Sequence, residues 1–209
     1  MSDDLIAHYQ ALLKEHGASA EAVHWADRDT QYARFRILSE ISDSLGSVLD
    51  FGCGLGDLYH FLRAEGFDGR YCGVDIVPEF VEIAAAINPP MGKAVLDKDG
   101  GELPGGHDFA FLSGVFNNKM PDNQTFMETT LRRMWAAAEK GIAFNAMTTW
   151  VDYQDPELWY VDPGDVLKFC KSELGGHVTL RHDYVLRDGG FPFEFAVYVY
   201  KDPKPSSAS

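Results

Sequence analysis

Val48-Leu49-Asp50-Phe51-Gly52-Cys53-Gly54-Leu55-Gly56-Asp57 is the stretch on which the reading of this chain turns. Ser47 to Phe51 is short and apolar, as a buried strand is, and Asp57 to Ala64 has the pattern of a helix. Between them, glycines at alternate positions let the backbone turn tightly and let a ligand lie directly against it. The next strand, Tyr71 to Ile76, carries Asp75, nineteen positions beyond Gly56. A carboxylate so placed can accept hydrogen bonds from two ribose hydroxyls. The segment therefore reads as a nucleoside site built on a strand, a loop and a helix.

Two nucleotide classes share that geometry. A dinucleotide site has the spacing G-x-G-x-x-G and offers a helix N-terminus to a pyrophosphate. Here the third glycine comes one position early, and Asp57 stands where that motif has its last glycine. Asp50 and Asp57 put negative charge at both ends of the loop, which repels a pyrophosphate and favours a ligand bearing a sulfonium and an ammonium. The loop suits S-adenosylmethionine better than NAD.

Asp50 to Gly56 resembles motif I of the class I S-adenosylmethionine-dependent methyltransferases, and Gly73-Val74-Asp75-Ile76 resembles their ribose-binding second motif. Leu112-Ser113-Gly114-Val115-Phe116-Asn117 is similar to their fourth motif. The resemblance covers about residues 45–150. It implies a seven-stranded sheet, S-adenosylmethionine as methyl donor, and a cofactor site including Asp50, Gly52, Gly54, Gly56, Asp75, Ile76 and Ser113. By position it puts the amino-acid moiety near Asp50 and the glycine loop, the ribose at Asp75, and the adenine near Ile76 and Asp97. Asp99 is the alternative to Asp97, and both also read as solvated loop acids before Gly100-Gly101. Asp97 is preferred because it directly follows Val95-Leu96.

Outward from that core, the chain reads as one α/β domain over residues 1–209. Residues 1–44 form a helical cover, 45–201 the α/β core and 202–209 a Pro- and Ser-rich tail. Residues 3–16 make an amphipathic helix stopped by Gly17, and Thr30 to Ile41 make a second. Further strands are expected at 94–96, 109–112 and 142–146. Helices are expected from Pro78 to Ile87, over 123–139 with Gly141 as stop, and after the capping residue Asp162. Val178–Leu186 and Phe193–Tyr200 alternate with period two around Asp188-Gly189-Gly190, which predicts a hairpin. Five βα units closed by that hairpin make a doubly wound, mostly parallel sheet with an antiparallel edge.

The composition excludes several classes of function. A formal net charge of −14, with no segregated basic patch, argues against a nucleic-acid partner. Three cysteines without a C-x-x-C pair give neither a disulfide framework nor a zinc cluster, so no metal is expected and a reducing cytoplasm is. The acidic start Met1-Ser2-Asp3-Asp4 is unlike a secretory signal, and no apolar run suits a membrane span.

Gln31, Arg34, Phe35, Leu38 and Ile41 share one face of the helix before the first strand. A guanidinium aimed into the protein needs an anion. Either the donor's carboxylate, held by Arg34 with Gln31, or an acidic side chain of the protein would serve. His24 and Trp25, just upstream, could cover the cofactor or belong to the core. Cys53 reads as a small filler of the loop.

On the acceptor side, Asn117 follows the fourth strand, and the aromatic loop with Trp150, Tyr153, Trp159 and Tyr160 follows the fifth. Asn117, Trp150, Tyr153 and Tyr160 are candidate contacts to a small-molecule substrate, although the aromatic loop could equally be a plain lid. No residue is singled out as a general base; His182, Asp183 and Tyr184 on the hairpin are the nearest to it. The resemblance implies methyl transfer by in-line displacement. A non-catalytic S-adenosylmethionine-binding module and a nicotinamide oxidoreductase are the alternatives.

Overall fold

The computed structural model describes residues 2–17, 28–87, 92–97 and 100–203. His24, Trp25, Asp99 and the end of the tail lie outside them. Five parallel strands carry the fold: β1 (Ser47–Phe51), β2 (Arg70–Asp75), β3 (Gly92–Leu96), β4 (His107–Leu112) and β5 (Ala138–Met147). With β6 (His177–Arg181) and β7 (Glu194–Tyr200) they form one seven-stranded sheet, ordered β3-β2-β1-β4-β5-β7-β6. β7 runs antiparallel to both β5 and β6. The doubly wound sheet with an antiparallel edge is therefore present.

Helices cover both faces, as the unbroken apolar strands require. On one face α5 (Asn123–Ala137) and α6 (Pro163–Ser172) supply Met127, Leu131, Met134, Val166 and Phe169 to a core with Leu49, Leu112 and Phe144. On the other, α2 (Arg28–Ser39) and α3 (Asp57–Ala64) pack Phe35, Leu38, Leu58 and Phe61 against Val48, Phe111 and Tyr198. A smaller cluster joins α1 (Ser2–His16) through Tyr9 and Leu13 to Leu55, Val77 and Phe80, the last on α4 (Pro78–Ile87). No described helix is long and apolar enough to cross a membrane.

Local signals behave as their chemistry demands. Asp162 accepts a hydrogen bond from Gly164 N at 2.7 Å and caps α6, with Pro163 in the first turn. Gly17, at φ 67°, ends α1 with its N–H on Leu13 O.

Three expectations are corrected. The β3 unit lacks a helix: described residues 100–106 reach β4 as coil, so the chain has four βα units rather than five. Helix α5 ends at Ala137 and runs straight into β5, leaving Gly141 inside the strand rather than at a helix stop. A Cβ at Gly141 would lie 2.5 Å from Val199 O, so this glycine admits the β7 backbone instead. The hairpin strand expected over 178–186 ends at Arg181, and residues 182–193 form a long connection rather than a tight turn. Within it Tyr184 is buried and donates its OH to Glu194 Oε1 at 3.0 Å. That side-chain bond takes the place of a ladder.

Candidate functional site

Strand order reverses between β1 and β4, so the loops leaving their carboxyl ends part and open a cleft. A cavity of about 790 Å³ lies there. Gln31, Arg34, Asp50, Gly52, Gly54, Asp75, Ile76, Asp97, Ser113 and Asn117 all line it. These come from five separate segments, and the fold brings them to one place.

The glycine loop is shaped for close approach. Gly52, Gly54 and Gly56 all have positive φ, at 75°, 52° and 88°. A Cβ on Gly52 would sit 2.3 Å from Val115 Cγ2, so the loop and the segment after β4 touch directly. Gly56 does not line the cavity; it turns the chain into α3 as the residue before its first turn.

Asp75 is buried, and its two oxygens accept the backbone N–H groups of Gly54 and Val77, each at 2.9 Å. A carboxylate has about four acceptor sites, so Asp75 keeps acceptor capacity beyond its backbone bonds. Burial raises the Asp75 pKa, and the hydrogen bonds from Val77, Gly54 and Ile76 oppose that rise. Asp50 lies deeper and accepts the OH of Tyr71 at 2.6 Å. Burial pushes its pKa up to about 7; the Tyr71 bond pulls it down, and the charges of Asp75 and Asp57 push it further up. The start of the loop is thus an acidic, poorly solvated place. Cys53 is buried beside it with a pKa raised well above normal by that burial, so it is an inert filler.

Arg34 has its anion within the protein. Its Nε donates to Glu194 Oε2 at 2.7 Å, and Nη1 donates to Thr30 O. Glu194 Oε1 also accepts Asn145 Nδ2 at 3.1 Å. Asn145 Oδ1 in turn accepts the N–H of Gly114 at 2.9 Å. Of the two anions expected for Arg34, the structure supplies the acidic side chain, brought from β7 at the far end of the sequence. The Arg34 guanidinium is therefore paired with Glu194 while it also lines the cavity.

Asp97 is also engaged. Both of its oxygens accept from Arg133 at 2.9 Å, while Arg133 Nε donates to Gly101 O at 2.8 Å. The clamp fixes the loop after β3 on α5.

Two buried oxygens that line the cavity, Gln31 Oε1 and Ser113 Oγ, have no hydrogen-bond partner among the described residues. Leaving such groups unmet costs about 1–3 kcal/mol each. That cost is recovered by a ligand carrying complementary polar groups, so the residues present fit a polar nucleoside.

The aromatic candidates do not join the cavity wall. Trp150 is 72% exposed and donates its Nε1–H to Asp162, while Tyr153 is 73% exposed. Tyr160 accepts the N–H of Asp155 at 3.0 Å and pins its own loop. The β5 loop turns these rings outward, and Met147 and Leu158 line the cavity instead. Sequence reasoning missed Tyr9, Asn118, Arg133, Leu186 and Phe193 in the wall. Only Tyr9 carried a signal, its place on the apolar face of α1; its OH accepts Asn118 Nδ2 at 3.0 Å.

Comparison with known proteins places this geometry. The methyltransferase domain family matches over residues 24–154. Rv1506c of Mycobacterium tuberculosis (strain ATCC 25618 / H37Rv), which carries a methyltransferase name, is 33% identical over 167 residues. That match covers 74% of this chain and 93% of the relative. Among solved structures, DhpI in complex with S-adenosylhomocysteine has a TM-score of 0.66 at 15% identity, covering 97% of this chain and 98% of that one. Magnesium protoporphyrin IX methyltransferase from Synechocystis PCC 6803, with bound S-adenosylhomocysteine, has a TM-score of 0.58 at 13% identity, covering 83% and 81%. At such identities the two structures speak to likeness of fold.

Proposed function

Because the chain belongs to the S-adenosylmethionine-dependent methyltransferase family, we propose that it methylates a small-molecule acceptor bound in the same cavity as the donor. The observation that carries this reading is one cavity of about 790 Å³ whose wall holds both the glycine loop with Asp75 and the side chains of Asn117, Met147, Leu158 and Phe193. That volume is within the range of small-molecule sites.

The donor supplies a methyl group already activated by the positive sulfur, so the chain's work is binding, alignment and exclusion of water. In this reading Asp75 accepts from the ribose with the acceptor capacity left by its backbone bonds. Asp97, held rigid by Arg133, and Ile76 border the adenine, and Ser113 Oγ meets a polar edge of the ligand. Asn117 and the apolar wall seat the acceptor. Trp150, Tyr153 and Tyr160, which point elsewhere, have no part in holding it.

The acidic surface, with its formal net charge of −14, supports an acceptor other than nucleic acid. Three buried free cysteines are in keeping with a reducing cytoplasm. Calorimetry tests the donor: S-adenosylmethionine and S-adenosylhomocysteine should bind in the micromolar range, roughly −7 to −9 kcal/mol. NAD should give no heat. Label transfer from S-adenosylmethionine across a panel of small acceptors then tests the chemistry. NAD binding without sulfonium binding would sink the reading.

A further inference from the structure

We propose that Glu194, which does not itself line the cavity, is a positioning residue for ligand binding: acting through Asn145, it holds the turn after β4 in the shape the site needs. The inference rests on the reading of the cavity as a donor site.

Ser113, Gly114, Val115 and Asn117 bring that turn into the cavity wall. Gly114 stands at the bend with φ 76°, and its carbonyl accepts the N–H of Asn117 at 3.1 Å. The Gly114 N–H goes to Asn145 Oδ1 on β5 at 2.9 Å. That bond ties the bend to the sheet right beside Ser113, whose buried Oγ has no hydrogen-bond partner among the described residues. A ligand that meets this hydroxyl therefore depends on where the bend is held.

An amide can face either way, so what makes Asn145 present its oxygen to Gly114 is the group at its other end. That group is Glu194 Oε1, which accepts Asn145 Nδ2 at 3.1 Å. A carboxylate offers only lone pairs. Turning the amide would set its oxygen against Glu194 and its NH2 against the Gly114 N–H. Glu194 is in turn fixed by two further donors, Arg34 Nε at 2.7 Å and Tyr184 OH at 3.0 Å. Arg34, Asn145, Tyr184 and Glu194 are all buried, where a mismatched polar group is costly. The order of donors and acceptors is thus passed from β7 through β5 to the cavity wall.

The test exchanges the amide and the carboxylate. In Glu194→Gln the side-chain oxygen must stay on the Arg34 cation, so the new NH2 faces Asn145 and turns its amide. The Gly114 N–H then meets another donor. Calorimetry should show S-adenosylhomocysteine bound about three- to tenfold more weakly. The amide NMR signal of Gly114 should shift and exchange faster with deuterium. Asn145→Ala leaves the Arg34–Glu194 pair in place and should give both changes as well. The double variant Glu194→Gln/Asn145→Asp again places an acceptor-only group between two donors. One oxygen serves the new amide and the other the Gly114 N–H, so both readings should return to within about twofold of the parent protein.

A double variant no better than Glu194→Gln would overturn the proposal, because Glu194 would then serve only the Arg34 charge. A loss of affinity in Glu194→Gln with the Gly114 signal unmoved would overturn it too, as would parent-like affinity in Asn145→Ala. Thermal melts of the ligand-free variants report folding separately, and if Glu194→Gln does not fold, Asn145→Ala decides. Failure of the parent protein to bind S-adenosylhomocysteine at all would instead remove the donor-site reading, and this inference with it.

Discussion

The raised pKa of Asp50 predicts that donor binding is sensitive to pH. In the empty protein its carboxyl holds a proton up to about pH 7, against an ordinary value of 3.8, because burial and the neighbouring acids disfavour the charge. The folded state thus binds more protons than the unfolded chain between about pH 4 and 7. Its stability should fall as pH rises through that window and level off above it. A cationic ligand prefers the ionised form, so S-adenosylmethionine affinity should rise from pH 6 to 8, by at most about tenfold per pH unit below 7. Titrations at pH 7 in buffers of different ionisation enthalpy should show proton release on binding. A flat pH profile would mean that Asp50 does not sense the ligand. The sequence marks Asp75 as a candidate ribose acceptor and gives no sign of its bonds to the backbone. Its oxygens also hold the backbone of Gly54 and Val77. Asp75→Ala should therefore weaken donor binding at least about tenfold and also lower the melting temperature without ligand. Unchanged binding beside a lowered melting temperature would leave only the structural task.

Among the elements, α2 and β7 depend on each other through a buried ion pair. Arg34 and Glu194 are nearly inaccessible to water and lie 160 residues apart. Removing one partner leaves the other charge stranded, which costs about 3–5 kcal/mol. Arg34→Ala should lose stability of that order in urea denaturation without ligand. The double variant Arg34→Met/Glu194→Gln should recover much of it, because no lone charge remains. If Arg34→Ala instead kept its stability and lost only donor affinity, the guanidinium would serve the ligand after all. The inward aim of Arg34 was readable from the helical spacing of Gln31, Arg34, Phe35, Leu38 and Ile41, all of which are buried. Its partner was not, since nothing local to Glu194 marks it as buried. Strand and helix boundaries failed for a similar reason. Gly141 looks like a helix stop until the β7 backbone is seen lying against it.

At the scale of the molecule, ligand and fold are linked through a cavity lined by α1, α2, the strand ends and the connection before β7. A ligand bound there favours the folded state by about 2.7 kcal/mol at a hundred times its Kd. For a chain of this length that should raise the melting temperature by about 5–10 °C. S-adenosylhomocysteine should produce the shift and NAD none, in parallel thermal melts. A shift with NAD alone would contradict the donor assignment.

What the sequence determined by itself is the strand–loop–helix unit that lines the cavity with Asp50 and the glycine loop, and the strand end that adds Asp75. The glycine loop, Asp50 and Asp75 act through spacing within one strand–loop–helix unit and the strand that follows, and such geometry is written in consecutive residues. The alternation of apolar strands and helices likewise determined the doubly wound sheet, because each strand must be covered on both faces. Only the tertiary structure decided what answers Arg34, which way the Gln31 amide faces and which side chains complete the cavity wall. Those outcomes depend on pairs brought together from α2 and β7, α2 and α3, and α5 and the β3 loop. Turning Trp150 and Tyr153 outward while Leu158 and Phe193 face the cavity is of the same kind. The path of a loop is set by everything it packs against, and no local pattern of residues records it.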